Sequence, residues 1–159
     1  GRVIGVNTAI RSVSGVNSGV GFAIPVNVVK RVIPELISGG RYRHPWVGVT
    51  GLTISPEIVE ALDLGVETGV MVYTVEPNSP AERAGVQGGA REMVVGGRPV
   101  LAGGDILVAI NDAPVRRFDD LINYLARYTS VGDTVTLTVV RGGDRLNLDV
   151  VLEERPDNR

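Results

Sequence analysis

Few side chains in this 159-residue chain could make or break bonds, and their spacing narrows the choice further. There is no Cys, which excludes disulfides, thiolate nucleophiles and Cys-based zinc or iron–sulfur sites. The single imidazole, His44, excludes His clusters and any site that needs two of them, so neither a metal nor a cofactor is expected. A hydroxyl nucleophile needs a base hydrogen-bonded to it. His44 is the one His that could serve, and it stands in a polar connector, Arg41 to Pro45, where it reads as a solvent-exposed linker residue. The paired acids Asp119/Asp120 and Glu153/Glu154 are neighbours at a helix start and near a tail, and they read as solvated faces rather than a general acid/base couple. Gly-Gly pairs begin at 39, 88, 96, 103 and 142, but no G-x-x-x-x-G-K-[ST] accompanies them and Lys30 is the only Lys, so nucleotide binding is not expected.

The elements that would position a binding site follow from pattern. Hydrophobic residues make up 43% and charged residues 21%, the balance of a globular chain. The formal net charge of −2 argues against nucleic acid as a main partner, and no apolar run approaches the roughly 18 residues of a membrane span. Charge is unevenly spread. Residues 1–44 hold six basic side chains against one acidic, residues 45–159 ten against seventeen, which places a boundary near residue 44. Before it, Gly1 to Ile10 and Gly19 to Ile24 read as strands around a Ser/Gly/Asn turn. Val29, Val32, Ile33, Leu36 and Ile37 then mark one face of a helix that holds Pro34 and closes at Gly39-Gly40. After it, Trp46 to Ile54, Gly69 to Val75 and Asp105 to Ile110 read as strands, and 135–139 faces 146–152 across a Gly142-Gly143 turn. Ser55 with Pro56, and the S-x-x-E box at Ser79, open short helices. Phe118, Leu121, Ile122 and Leu125 mark an amphipathic helix with acids at its positive end. The fold class expected is mostly β with short helices, a small, partly open barrel or sandwich, preceded by a strand-strand-helix unit.

Two stretches carry a family resemblance. GVGFAIPVNVVKRVIPELIS (19–38) resembles the closing strand and C-terminal helix of the trypsin-like protease domain in the HtrA/DegP serine proteases, and GRVIGVNTAI (1–10) resembles the strand after their catalytic serine. WVGV (46–49), PNSPAERAGV (77–86), GGDILVAIN (103–111) and the last hairpin resemble the PDZ domain that follows in the same proteins. The resemblance implies a protease-domain remnant over 1–44, a PDZ domain over 45–154 and a tail over 155–159. It also implies that the catalytic residues lie before Gly1, a start without Met that reads as a processed piece. Asn17-Ser18-Gly19 imitates part of the G-N-S-G-G-P motif but continues with Val20 and precedes the wrong strand, so no catalytic residue is expected here. By the same resemblance, Thr8, Ala9, Ile10, Gly21 and Phe22 are remnants of the protease specificity pocket.

PDZ domains add a peptide C-terminus as a strand to a sheet edge. The resemblance implies that Trp46, Val47, Gly48 and Val49 form the carboxylate-binding loop, with Gly48 leaving room for a close backbone approach. It implies that the helix Phe118 to Tyr128 forms the opposite wall, with Leu121 and Leu125 lining the pocket for the last side chain. Expected partners are peptide C-termini or unfolded segments with hydrophobic ends, with self-association through residues 1–40, whose few strands cannot bury their apolar faces alone. The expected setting is extracytoplasmic protein quality control. Residues 87–102 read as an inserted hairpin that shields a sheet edge, contacts the protease barrel or decorates the surface, with decoration or edge cover favoured. A different class of reading is a PDZ adaptor or chaperone-like module that works without any protease.

Overall fold

The computed structural model describes residues 1–11 and 20–156, and divides into two compact units, Gly1–Arg43 and His44–Arg159. The expected Ser-rich turn, with Asn17 and Ser18, lies outside the described residues.

In the first unit, β1 (Gly5–Arg11) and β2 (Val20–Pro25) form an antiparallel pair with an irregularity between Asn7 and Ala9. Helix α1 (Val26–Gly39) follows directly and contains Pro34. Gly40 ends it in the left-handed conformation at φ 71°, its N–H donating to Leu36 O at 2.9 Å, the geometry that favours glycine just past a helix. No residue of α1 is buried, and Ile4, Val6, Phe22, Ile24 and Ile37 are exposed.

The second unit holds the remaining elements. The stretch expected as one strand from Trp46 to Ile54 is two: β3 (Pro45–Trp46) and β4 (Val49–Thr53). Gly48, at φ 91°, breaks the run. Next come α2 (Pro56–Leu62), capped by Ser55 Oγ accepting from Ile58 N–H, then β5 (Val70–Val75) and α3 (Pro80–Arg83). At α3, Ser79 Oγ accepts from Glu82 N–H at 3.2 Å, while the Glu82 carboxylate accepts from Asn78 N–H at 2.7 Å, one residue before the usual capping-box partner. The insertion folds as the expected hairpin, β6 (Arg91–Val95) and β7 (Arg98–Ala102), around Gly96 and Gly97 at φ 56° and 77°, the pair of positive values a type I′ turn demands. The chain continues through β8 (Ile106–Ile110), β9 (Ala113–Pro114), α4 (Phe118–Tyr128), β10 (Thr134–Arg141), β11 (Asp144–Val151) and β12 (Glu153–Glu154).

The main sheet runs β11-β10-β8-β5-β4, with β9 beside β8, and does not close into a barrel. Side chains alternate between its faces, and both faces are covered. Val70, Val72, Leu107, Val135, Leu137 and Val139 join Leu121 and Leu125 of α4 in one core. Met71, Ile106 and Val140 turn the other way and meet Ile54, Ile58 and Val100 in a second. Val100 is 4% exposed, so the inserted hairpin contributes to a core rather than decorating the surface.

A half-buried ion pair ties the hairpin's approach to the sheet. Asp105 is fully buried, and its carboxylate accepts from Arg141 Nε at 2.6 Å, Arg141 Nη2 at 2.8 Å and Gln87 N–H at 2.9 Å. Arg141 Nη2 also donates to Gly85 O at 2.7 Å. The hydrogen bond to Asp105 raises the Arg141 pKa above its ordinary value, so the guanidinium stays charged throughout the usual pH range.

Candidate binding groove

Among the described residues, strand β4 is an edge: β5 is its partner on one side and no strand of the main sheet lies on the other. Its register shows which backbone groups face that free edge. Glu76 N–H donates to Gly48 O at 2.9 Å, and Val49 pairs with Val75 one step further along. Hydrogen-bonded and non-bonded pairs alternate in an antiparallel ladder, so Val49 falls in a non-bonded pair and turns its N–H and C=O outward. The irregularity between Thr50 and Gly51 resets the alternation; Ile54 N–H donates to Gly69 O at 3.1 Å, which likewise turns Thr53 outward.

Helix α4 runs beside this edge in the opposite direction. Phe118 N–H donates to Thr53 Oγ1 at 3.1 Å, which places the start of α4 at the end of β4, and α4 also packs against β3. The start of α4 is held by Asp120, whose carboxylate accepts from the N–H groups of Arg116 at 3.0 Å and Arg117 at 2.9 Å. Between helix and edge lies a cleft of about 130 Å³, lined by Pro45, Trp46, Val47, Gly48 and Val49 on the strand side and by Phe118, Leu121, Ile122, Leu125 and Ala126 on the helix side, with His44 and Arg155 completing it. It is an apolar slot alongside unused strand backbone, a surface that an extended peptide can enter as an additional strand.

The PDZ domain family matches residues 48–152. The chain belongs to this family. It is 40% identical over 157 residues to "Protease Do-like 1, chloroplastic" of Arabidopsis thaliana, covering 99% of this chain and 34% of that protein. It is 30% identical over 159 residues to "Periplasmic serine endoprotease DegP" of Escherichia coli strain K12, covering 100% of this chain and 30% of that protein. The chain thus spans about a third of the length of the curated relatives it matches. Among solved structures, "HtrA-type protease AlgW with decapeptide" is similar at a TM-score of 0.70 and 32% identity, over 97% of this chain and 42% of that one. The HtrA3 PDZ domain bound to a phage-derived ligand, FGRWV, is similar at a TM-score of 0.52 and 28% identity, over 69% of this chain and 85% of that one. These findings establish the HtrA/DegP kinship and the PDZ fold.

The structure brings all six residues expected at the PDZ groove to one cleft: Trp46, Val47, Gly48, Val49, Leu121 and Leu125. Val47, Leu121 and Leu125 are also buried in the larger core, so one set of side chains forms both the groove floor and the packing beneath it. The structure gives Gly48 a reason of its own, beside the close approach expected of it. A Cβ there would collide with Ser79 Cβ and come within 2.7 Å of Ser79 Oγ. Ser79 is fully buried, and the loop lies on the α3 cap, with Ala81 N–H donating to Val47 O at 2.9 Å. Glycine is thus demanded from below, by the seat of the loop and by φ 91°, before any ligand is considered.

Phe118, Ile122 and Ala126 line the same cleft; they lie on the helix expected as its opposite wall, but were not named as pocket residues. They form an i, i+4, i+8 row beside the Leu121/Leu125 row, and Ile122 stands 49% exposed. The amphipathic spacing includes Phe118 and Ile122, but spacing alone cannot say which border of an apolar stripe meets solvent.

In the first unit, the five expected pocket remnants share one strand pair. Ala9 pairs with Phe22 and Ile10 with Gly21, while Thr8 sits at the irregularity and its Oγ1 donates to Phe22 O at 3.3 Å. Among the described residues, no group of acids and His could hold a metal ion, and no helix is long and apolar enough to cross a membrane.

Proposed function

We propose that the groove binds peptide C-termini, or extended hydrophobic segments, by strand addition to β4. The observation that carries this reading is the outward-facing backbone of β4 opposite the apolar wall of α4, converging at residues 46–49. Backbone N–H groups of Val47, Gly48 and Val49 receive the terminal carboxylate, and the last side chain enters between Leu121 and Leu125. Alternate residues of an added strand face the helix about 6.8 Å apart, and α4 rises about 1.5 Å per residue. The side chain two positions before the C-terminus therefore reaches Phe118 and Ile122, so an apolar residue there is preferred. Binding of an N-terminally labelled peptide ending in Val, measured by fluorescence anisotropy, should give a micromolar dissociation constant, with the amidated peptide at least about tenfold weaker. Equal binding of acid and amide overturns carboxylate capture.

The wider reading is that this module serves a serine endopeptidase of the HtrA/DegP type in extracytoplasmic protein quality control. The endoprotease names of its relatives support it, as does the periplasmic setting of DegP, although the Arabidopsis relative is chloroplastic. Thr8, Ala9, Ile10, Gly21 and Phe22 then belong to a protease specificity pocket, and residues 1–159 bind without cutting. Casein cleavage by the full-length protein but not by this chain is the expected result. An inactive full-length protein would favour the adaptor reading. The exposed apolar side chains of residues 1–40 support self-association of this chain. Light scattering should report a species larger than a monomer, and a monomer whose amides over 5–39 exchange slowly would contradict it.

A further inference from the structure

We propose that Arg155 sets the direction of the added strand by meeting the ligand's terminal carboxylate at the β3 end of the groove, an inference that rests on the strand-addition reading above. Among the described residues lining the cleft, ionisable side chains come only from His44 and Arg155; the rest are apolar or glycine. The position of Arg155 is fixed by backbone. Strand β12 pairs with β3 through Glu153 to Trp46 and Glu154 to Pro45, and Arg155 N–H extends this ladder by donating to His44 O at 2.9 Å. This anchors Arg155 beside the entry to residues 46–49. Its neighbour Glu153 is engaged by Arg83, whose guanidinium also donates to Asn78 O at 2.5 Å, and strand alternation sends Glu154 to the opposite face from Arg155.

A cation is needed at this end for a reason the fold supplies. Because α4 runs opposite to β4, its C-terminal end lies toward β3, and that end is the negative pole of the helix. A carboxylate beside it is disfavoured by the helix and depends on backbone N–H groups and a nearby guanidinium. A peptide added antiparallel to β4 brings its carboxylate to this end, a parallel one brings its ammonium group, and an internal segment brings neither charge. The guanidinium attracts the first, repels the second and gains nothing from the third. Arg155 is thereby a specificity residue for free C-termini, lying outside residues 48–152 that match the domain family.

The test uses the full chain and one Val-ending peptide, prepared as free acid and as amide, with R155A and R155K beside the parent protein. In R155A the free acid should bind about five- to tenfold more weakly while the amide is unchanged, and R155K should recover most of the loss, since a charge-assisted contact is being removed and restored. Raising the salt concentration should weaken acid binding in the parent protein and have little effect in R155A. An acid-to-amide ratio that is the same in R155A as in the parent protein overturns the role of Arg155 and leaves the groove reading standing. A parent protein that fails to distinguish acid from amide overturns both. Matching thermal melts of the three proteins exclude a folding defect as the cause.

Discussion

Two amphipathic helices in this chain meet opposite fates. In α1 the apolar stripe of Val29, Val32, Ile33, Leu36 and Ile37 buries none of its side chains, whereas α4 buries Leu121 and Leu125 completely enough to join a core of fifteen residues. Both stripes have helical spacing and both helices follow a strand. The difference is the layer beneath. The second unit offers α4 an open sheet, with side chains from β5, β8 and β10 converging on it. Among the described residues, the first unit has only a strand pair, and an isolated hairpin cannot cover a helix face. An apolar stripe is therefore a demand for a partner surface, and whether it is met depends on the rest of the topology.

Mutations that remove the same chemistry from each region test this contrast. The largest effect is expected for Leu137→Ala in the buried core, a loss of about 3 kcal/mol as transfer and cavity terms add, read from the urea midpoint of the second unit. Arg141→Met should come next. It leaves the fully buried Asp105 carboxylate without its cation, and because the Arg141 side chain is 31% exposed the loss should be about 2–3 kcal/mol, below the upper values for a wholly buried pair. Gly48→Ala forces a strained φ and a clash with Ser79, and about 2 kcal/mol of destabilisation is expected, together with a weaker peptide complex in the same anisotropy assay. Leu36→Ala in α1, measured on the chain diluted until light scattering reports a monomer, should change the melting curve by no more than about 0.5 kcal/mol, as for other surface positions. A loss at Leu36 in the monomer comparable to that at Leu137 would break the comparison, since it would mean that α1 is packed within its own chain.

The parts legible in the sequence are those decided locally. Ser55 with Pro56, the Ser79 box, and the paired glycines at 96–97 and 142–143 each specify a cap or a turn by their own chemistry, and each is found where expected. The PDZ loop and the Leu121/Leu125 row were legible through motif and spacing, and they meet at one cleft. What lay beyond reach depends on contacts distant in sequence. The break between β3 and β4 hides within an apolar run because the partner of β3 is β12, more than a hundred residues later. The burial of Val100 depends on α2 and the far face of the sheet. The clash that a side chain at Gly48 would make with Ser79 and the place of Ile122 at the groove both depend on how distant segments dock.

The central claim is that the cleft between β4 and α4 accepts a free C-terminus as an added strand. Backbone amide chemical shifts of the labelled chain, followed during titration with a Val-ending peptide as acid and as amide, test it most directly. The account predicts saturable shifts at residues 46–53 and 118–126 with the acid, with clearly smaller ones at equal concentration of the amide. Shifts confined to other regions, or identical responses to acid and amide, would contradict it.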